Sequence, residues 1–550
     1  MSGPGVVLLV ALLLGVLIFV HELGHFIVAK LFGVKVLRFS LGFGPKAFSF
    51  TRGETEYRVA WFPLGGYVKM LGEAPSEIVD PADEGRAFQA KPLWQRYLIA
   101  LAGPLMNLIL PVGIYFAFFL VASVEQPPVM GNVLHDEPAD GLLLPGDRIV
   151  AIDDQPIRYW EEFRRVVGQN PGKPLRFTID RGGEQLTRYI TPRPAQILDD
   201  FRLPATVGQI GVTLYYYRPQ IGVTGPDVPA AQAGLRSFDR VTAINGREVK
   251  SAIELEERLK RIGGAALAVA YLRPAPTVGF ADVREYRPRA TVVYPALHEP
   301  AGTRRFATGM VSGEFFVYEV EPGSPAAAIG LQPGDRIVRF DGRAIGNRER
   351  IERELKRRPK DRHSVAWIAA RDGLEREESF LPQERVEIDE YKQRRTEVVF
   401  GANPAMPFWF EPPVAVEGRF GYAASHAVRR TTTAVVAIVR LFGGMAHGEV
   451  SRDAVGGPIA IMYTTAVAAR KGWDQYLGVM AGVSLSLGLI NLLPVPLLDG
   501  GHMLLFTIEA VRRKPLSLRT REVAAYLGLI LVVSLMIFAL INDVGRYLLG

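Results

Sequence analysis

Four stretches of this chain are apolar over the length a bilayer demands, and the sequence between them is polar by comparison. The first runs from Val6 to Leu31, with no charged residue from Val6 to Val20. The others cover Leu93 to Val124, Tyr476 to Val511 and Val523 to Ile541. A helix needs ~20 residues to cross the hydrocarbon core, so each stretch qualifies as a span. The first has no basic residue ahead of it and outruns the ~7–15 apolar residues of a signal core, so it reads as a retained span. The third is too long for one straight helix: its 477–511 section would reach roughly 50 Å against a ~30 Å core. Pro494 and Pro496 lack backbone donors and are expected to break it.

Between the first two spans, apolar positions alternate: Phe39, Leu41, Phe43, then Tyr57, Val59, Trp61. Arg52-Gly53 reads as a hairpin turn between them, and Leu64-Gly65-Gly66-Tyr67-Val68 continues as a glycine-bent strand. A small sheet at residues 37–72 is expected beside the end of the first span. Two roles fit it: an edge onto which an extended peptide adds as a strand, or a purely structural hairpin. The polar region after span two holds a repeat. Pro145-Gly146-Asp147-Arg148-Ile149 precedes Ile152-Asp153-Asp154; Phe238-Asp239-Arg240-Val241 precedes Ile244-Asn245-Gly246; Pro333-Gly334-Asp335-Arg336-Ile337 precedes Phe340-Asp341-Gly342. The aspartates Asp147, Asp239 and Asp335 recur at a domain-sized period, and a charged helix-like stretch such as Glu254–Arg261 follows. The pattern resembles PDZ domains, more weakly in the second copy, where Ser237-Phe238 stands in place of Pro-Gly. Such modules bind extended peptides, often at a free C-terminal carboxylate, or serve as size-selective plugs; both roles stay open. Residues 420–447 are amphipathic, with Arg429, Arg430 and Arg440 among Val435, Val436 and Leu441, and read as a helix on the membrane surface. His426 and His447 in it read as interfacial rather than as ligands.

Charge then orients the spans. Loop 32–92 carries Lys35, Arg38, Lys46 and Arg52 among other basic residues, and loop 512–522 carries Arg512, Arg513, Lys514, Arg519 and Arg521. The excess of basic residues places both loops in the cytoplasm, and both termini with residues 125–475 on the other side. The net charge of +7 is spread along the chain, so no nucleic-acid partner is expected. The absence of cysteine excludes disulfides and thiolate ligands, leaving histidine and carboxylate for any metal.

Only eight histidines occur in the chain, and two of them fall in His21-Glu22-Leu23-Gly24-His25 at the end of the first apolar run. Residues four apart share a helix face, so His21 and His25 can turn both imidazoles to one metal. Glu22 stands beside it, where a carboxylate takes a proton from water. A glutamate at that depth costs ~2.5–3.5 kcal/mol or more, which argues for a role. A catalytic zinc usually has three protein ligands. The candidate for the third is Asp499, directly after the proline break, where irregular backbone is tolerated only if it lines a cavity or is buried in protein. Capping the helix that resumes at Gly500 is its plainer role.

Taken together, His21–His25, Gly103-Pro104 with Asn107, Asn491 with Pro494, and Leu498-Asp499-Gly500 resemble the site-2 proteases, intramembrane zinc metalloproteases. Phe43-Gly44-Pro45, Gly65–Lys69 and the inserted repeats are similar to the bacterial regulator-of-sigma-E protease branch, which typically carries two repeats rather than three. The resemblance implies a multi-pass α-helical membrane protein with four transmembrane helices, a small cytoplasmic β-sheet and inserted α+β PDZ-like domains. The expected organisation is a first membrane half at 1–124, PDZ-like domains at 125–208, 209–300 and 301–400, a linker with the amphipathic helix at 401–475, and a second membrane half at 476–550. It implies Zn²⁺ on His21, His25 and Asp499, Glu22 as the catalytic base, and substrate contacts from Asn491, Asn107 and Pro494. The implied partners are membrane lipid, membrane-spanning substrates of the anti-sigma-factor kind or signal-peptide remnants, and peptide C-termini at the PDZ-like domains. The implied location is the bacterial inner membrane with the repeats periplasmic. A membrane-anchored scaffold with a silent metal site, and a soluble-type peptidase tethered by span one, are the competing readings; the second leaves Asp499 unexplained.

Overall fold

The computed structural model describes residues 3–73, 77–122, 124–198, 204–276, 284–298, 305–345, 349–390, 392, 394–404, 407–446, 456–514 and 516–547. His447 of the amphipathic stretch lies outside them. The chain opens with helix α1 (Gly3–Leu31), whose apolar run leaves only Lys30 as a basic residue in its last turn. A bent hairpin follows, β1 (Val36–Arg52) and β2 (Thr55–Met70). Residues 38–41 pair with 66–69 on one side and with 56–59 on the other, while 55–60 pair with 46–52, so two long strands fold into a sheet of four short segments. The hairpin packs on α1, with Gly66 against Ile18 and Glu22, and it exposes Phe48, Phe50, Trp61 and Phe62. Helix α2 (Leu93–Val121) returns alongside α1 and retains Pro104 and Pro111 in its interior.

The polar insertion holds three units of one topology. Each has a four-stranded antiparallel sheet in the same spatial order: 155–156, 148–152, 175–181, 184–190 in the first, with equivalent strands from 240 to 293 and from 336 to 380. One helix covers the first sheet, α3 (Trp160–Gly168). The short α4 (Pro229–Gln232) and then α5 (Ala252–Lys260) belong to the second, α6 (Pro325–Ala328) and α7 (Glu349–Arg357) to the third. Each unit has its own apolar core, around Phe177, Val269 and Trp367 respectively. The recurring aspartates are structural. Asp147 and Asp239 are buried, and each receives two hydrogen bonds from one guanidinium, Arg181 and Arg273. Asp335 instead accepts backbone N–H groups from Gln332 and Ala370. The second copy keeps the turn its sequence obscures: Phe238 adopts φ 76°, close to Gly146 at 89° and Gly334 at 94°. A bulky residue is strained there, and its ring packs edge-on against Tyr318 at 4.8 Å. Beyond the third unit the chain returns to its own start, as 408–410 pair with 215–217 and 414–415 with 124–125.

The membrane half then resumes. Helix α8 (Arg419–Ala446) differs from the surface helix expected. Its alanines at 423, 427, 434 and 437 are buried, Tyr422 and His426 meet Phe119, and it packs along α2. A face of small residues lets two backbones approach closely, which a surface helix has no use for. A helix not foreseen within 401–475, α9 (Pro458–Lys471), starts on the buried carboxylate of Asp543, which accepts N–H groups from Gly457, Ile459 and Ala460 at 2.8–3.0 Å. Then come α10 (Trp473–Asn491), α11 (Asp499–Arg512) and α12 (Leu518–Tyr547). Among the described residues three helices, not four, are long and apolar enough to cross a bilayer: α1, α2 and α12. The expected third span is two shorter helices. Pro494 and Pro496 cannot donate, and glycines 478, 482 and 488 with Ser484 and Ser486 dilute the apolar character of α10.

Candidate metal centre

Three elements far apart in sequence converge on one spot. On α1, His21 and His25 lie one turn apart, with their Nε2 atoms 3.3 Å from each other. From the first turn of α11, Asp499 brings Oδ2 to 3.2 Å from His21 Nε2 and Oδ1 to 3.5 Å from His25 Nε2. All three ligand atoms lie within 4.8 Å of one another. The residues between α10 and α11, 492–498, fold back on the start of α11, and Leu497 takes φ 121°, a costly conformation for leucine. Gly500 and Gly501 abut the carbonyls of Leu492 and Val495, so any side chain there would push the loop, and Asp499 with it, off position.

The donor set suits a divalent cation. His25 Nδ1 is 2.7 Å from the Ile99 carbonyl, which only accepts, so Nδ1 carries the hydrogen and Nε2 presents a lone pair. Asn107, fully buried on α2, sets its amide 3.2 Å from His21 Nδ1. Its Oδ1 has no hydrogen-bond partner among the described residues. With that oxygen turned to the imidazole, the amide accepts Nδ1–H and leaves His21 Nε2 open to a metal. Two imidazole lone pairs and a carboxylate facing one another repel until a cation or protons lie between them. Between them the two Nε2 atoms and the two oxygens of Asp499 leave gaps of 3.2–3.5 Å, close enough for one small cation to be held by all three residues.

Backbone proximity makes the site possible. A β-carbon on Gly103 would run into both imidazoles, and one on Gly24 into the carbonyl of Ala102. The two glycines let α1 and α2 touch where the histidines stand. Glu22 is buried beside them, its Cγ against the hairpin at Gly66. Ser484 of α10 donates to the Asn107 carbonyl at 2.7 Å, tying the third and second membrane segments together under the site. Asn491 is the last residue of α10, half-buried, with no side-chain hydrogen bond among the described residues; Pro494 is exposed in the break. Thus His21, Glu22, His25, Asn107 and Asp499 gather at one place, while Asn491 and Pro494, on the broken segment, make no hydrogen bond or ion pair with them among the described residues. The Ile99 carbonyl and Ser484 escaped the sequence reading, since any residue supplies a carbonyl and a lone serine in an apolar run has no distinguishing context. Gly24, a small residue between the two histidines, was the available hint of close helix packing.

A model of peptidase family M50 matches residues 9–535. The chain is 29% identical to the regulator of sigma-E protease RseP of Escherichia coli over 539 residues, 97% of each chain. It is 29% identical over 546 residues to a Ralstonia nicotianae protein whose name carries "zinc metalloprotease", covering 98% of this chain and 97% of that one. Among solved structures, the PDZ domain of the SdrC-like protein of Listeria innocua aligns with 16% of this chain and 92% of its own, at 24% identity and a TM-score of 0.13.

Proposed function

The chain belongs to peptidase family M50, and from that premise we propose that it is an intramembrane zinc endopeptidase cutting single-span membrane proteins within or near the bilayer. The observation that carries the proposal is the convergence of His21, His25 and Asp499 at a depth reached by the apolar part of α1 and by the break in the third membrane segment. Zinc bound there would acidify a water and polarise the scissile carbonyl. Glu22 accepts the proton of the attacking water on its carboxylate and later delivers it to the nitrogen of the leaving amine as the C–N bond breaks. Asn107 and the Ile99 carbonyl hold the two imidazoles in orientation from α2. The substrate has to be unwound, because a helical peptide bond is closed to attack. The edge segment 66–69 of the hairpin, beside Glu22, offers backbone groups to such an extended stretch, and Asn491 and Pro494 border its path on the broken segment.

The proposed setting is a bacterial inner membrane, with α1, α2, the broken α10–α11 pair and α12 as four crossings. The hairpin and loop 512–522 face the cytoplasm, and the three PDZ-like units lie outside. Those units admit substrates whose external part has already been trimmed; the proposed clients are an anti-sigma factor, in keeping with a relative named as a regulator of sigma-E protease, and signal-peptide remnants. A purified single-span substrate in lipid vesicles tests the activity: the wild type cuts inside the span, a chelator stops it, and Glu22→Gln cuts at least roughly 10²-fold more slowly. Chelator-resistant cutting by Glu22→Gln contradicts the reading.

A further inference from the structure

The first and third units are joined by charge across more than 200 residues of sequence. Glu137, whose side chain is 3% exposed, pairs with Arg193 of its own unit at 3.0 Å and with Arg353 of α7. Beside it Asp136 pairs with Arg350, one turn earlier on α7, at 3.2 Å. Nothing in the repeat demands this carboxylate. The equivalent positions, each preceding a Pro-Ala step and packed on a left-handed glycine, are Val228 against Gly309 and Ser324 against Gly401; Glu137 packs on Gly211 in the same way. The second unit already meets the third through Phe238 with Tyr318 and through Gly222 with Phe316. With the first and second units consecutive in the chain, the ion pairs between the first and third units close the three into a ring. The helix that supplies both arginines also lines, with Ile351, Glu352, Leu355 and Lys356, an open 400 Å³ groove along the strand 398–403.

We propose that Asp136, Glu137, Arg193, Arg350 and Arg353 form an electrostatic clasp that sets how large an external domain the enzyme admits. The clasp rests on the gating role assigned above to the PDZ-like units. A ring shut by apolar packing opens only by exposing that packing to water, whereas one shut by a few ion pairs opens when those pairs exchange for water and ions. Because α7 is shared, a segment docked in the groove bears on the helix that holds the clasp.

The test uses the full-length protein in vesicles with one single-span substrate, carrying either a folded external domain or a short tail. Arg350→Glu with Arg353→Glu is expected to raise cleavage of the untrimmed form relative to the trimmed one by at least roughly tenfold, leaving the trimmed rate as in the wild type. The chain has no cysteine, so Asp136→Cys with Arg350→Cys gives a unique pair for a short bis-maleimide bridge. Bridging is expected to lower untrimmed cleavage and spare the trimmed form. It also decides the matter if the double glutamate variant fails to fold. An unchanged ratio in these variants, alongside a changed ratio on deleting 305–400, overturns the clasp and leaves gating intact. An unchanged ratio in the deletion as well overturns both.

Discussion

At the scale of single residues, the site depends on what stands behind the ligands as much as on the ligands. The two imidazoles owe their orientation to a carbonyl and a buried amide of α2, and partners of this kind typically change metal affinity by roughly 10–100-fold. Asn107→Ala is therefore expected to weaken zinc binding by that order, read as a shift in competition with a chelator, while Asn107→Asp should restore much of it by accepting the same Nδ1–H. Equal affinity in all three proteins would remove Asn107 from the site. Glu22→Gln should keep its metal and lose roughly 10²–10⁴ in cleavage rate, since the amide cannot take a proton. Gly103→Ala should lose the metal outright, because its β-carbon enters the space of both histidines. Metal content of the purified variants separates these outcomes. The motif residues were legible because a His-Glu-x-x-His on an apolar run and an aspartate after a proline break are each improbable by chance. Their supports were not, since they act through backbone groups or through neighbours brought close only by folding.

At the scale of elements, the break between α10 and α11 is the feature that places Asp499, and α12 is pressed against it. Gly528 lies on the carbonyl of Pro496, with no room for a side chain. Gly528→Leu should displace the break and reduce both zinc retention and cleavage, with the helix content seen by circular dichroism unchanged; normal zinc retention would show that α12 does not support the site. The hairpin is anchored by charge. Hydrogen bonds from Lys30 and then Arg86 hold the Glu54 carboxyl below its ordinary 4.5, at 2.8 and 2.6 Å, and Lys35 does the same for Asp83. A carboxyl with a lowered folded value adds stability above its ordinary value and loses that stability as pH falls through the lowered one. Acidification below about 4.5 should therefore lower the amide protection factors in 36–70, and Glu54→Gln should show the lowered protection at neutral pH already. Protection factors unchanged down to that range would contradict the anchoring. The hairpin and the repeat turns were readable from alternation and from turn residues. The break in the third span, with a helix resuming at Gly500, is readable from its prolines; that neither half alone is long and apolar enough to cross is not. Helix α9 was missed because fourteen residues of mixed apolar character are too few to signal a span. The alanine face of α8 was hidden behind its arginines, which dominate any reading of charge.

At the scale of the whole molecule, the proposed metal site among the apolar helices is joined to the three repeat units by paired return strands at 124–125 with 414–415 and 215–217 with 408–410. These strands fix where the ring sits relative to α2 and α8. The triplication was visible in the sequence, but its closure was not, because Glu137 and Arg353 belong to surface-looking stretches whose meeting depends on the placement of three folded units. With Glu137 3% exposed but Arg353 36% exposed, breaking the pair costs between the ~0–1 kcal/mol of a surface pair and the ~3–5 kcal/mol of a buried one, enough to change which state of the ring prevails. The central claim remains that residues from α1 and from the broken third segment hold one metal. Zinc content per chain under a limiting chelator, measured for the wild type, His25→Ala and Asp499→Ala in lipid vesicles, tests it most directly. The account predicts one zinc per wild-type chain and well under half that in each variant, with cleavage lost in parallel. Full zinc content in Asp499→Ala would contradict it, and would return Asp499 to the role of a helix cap.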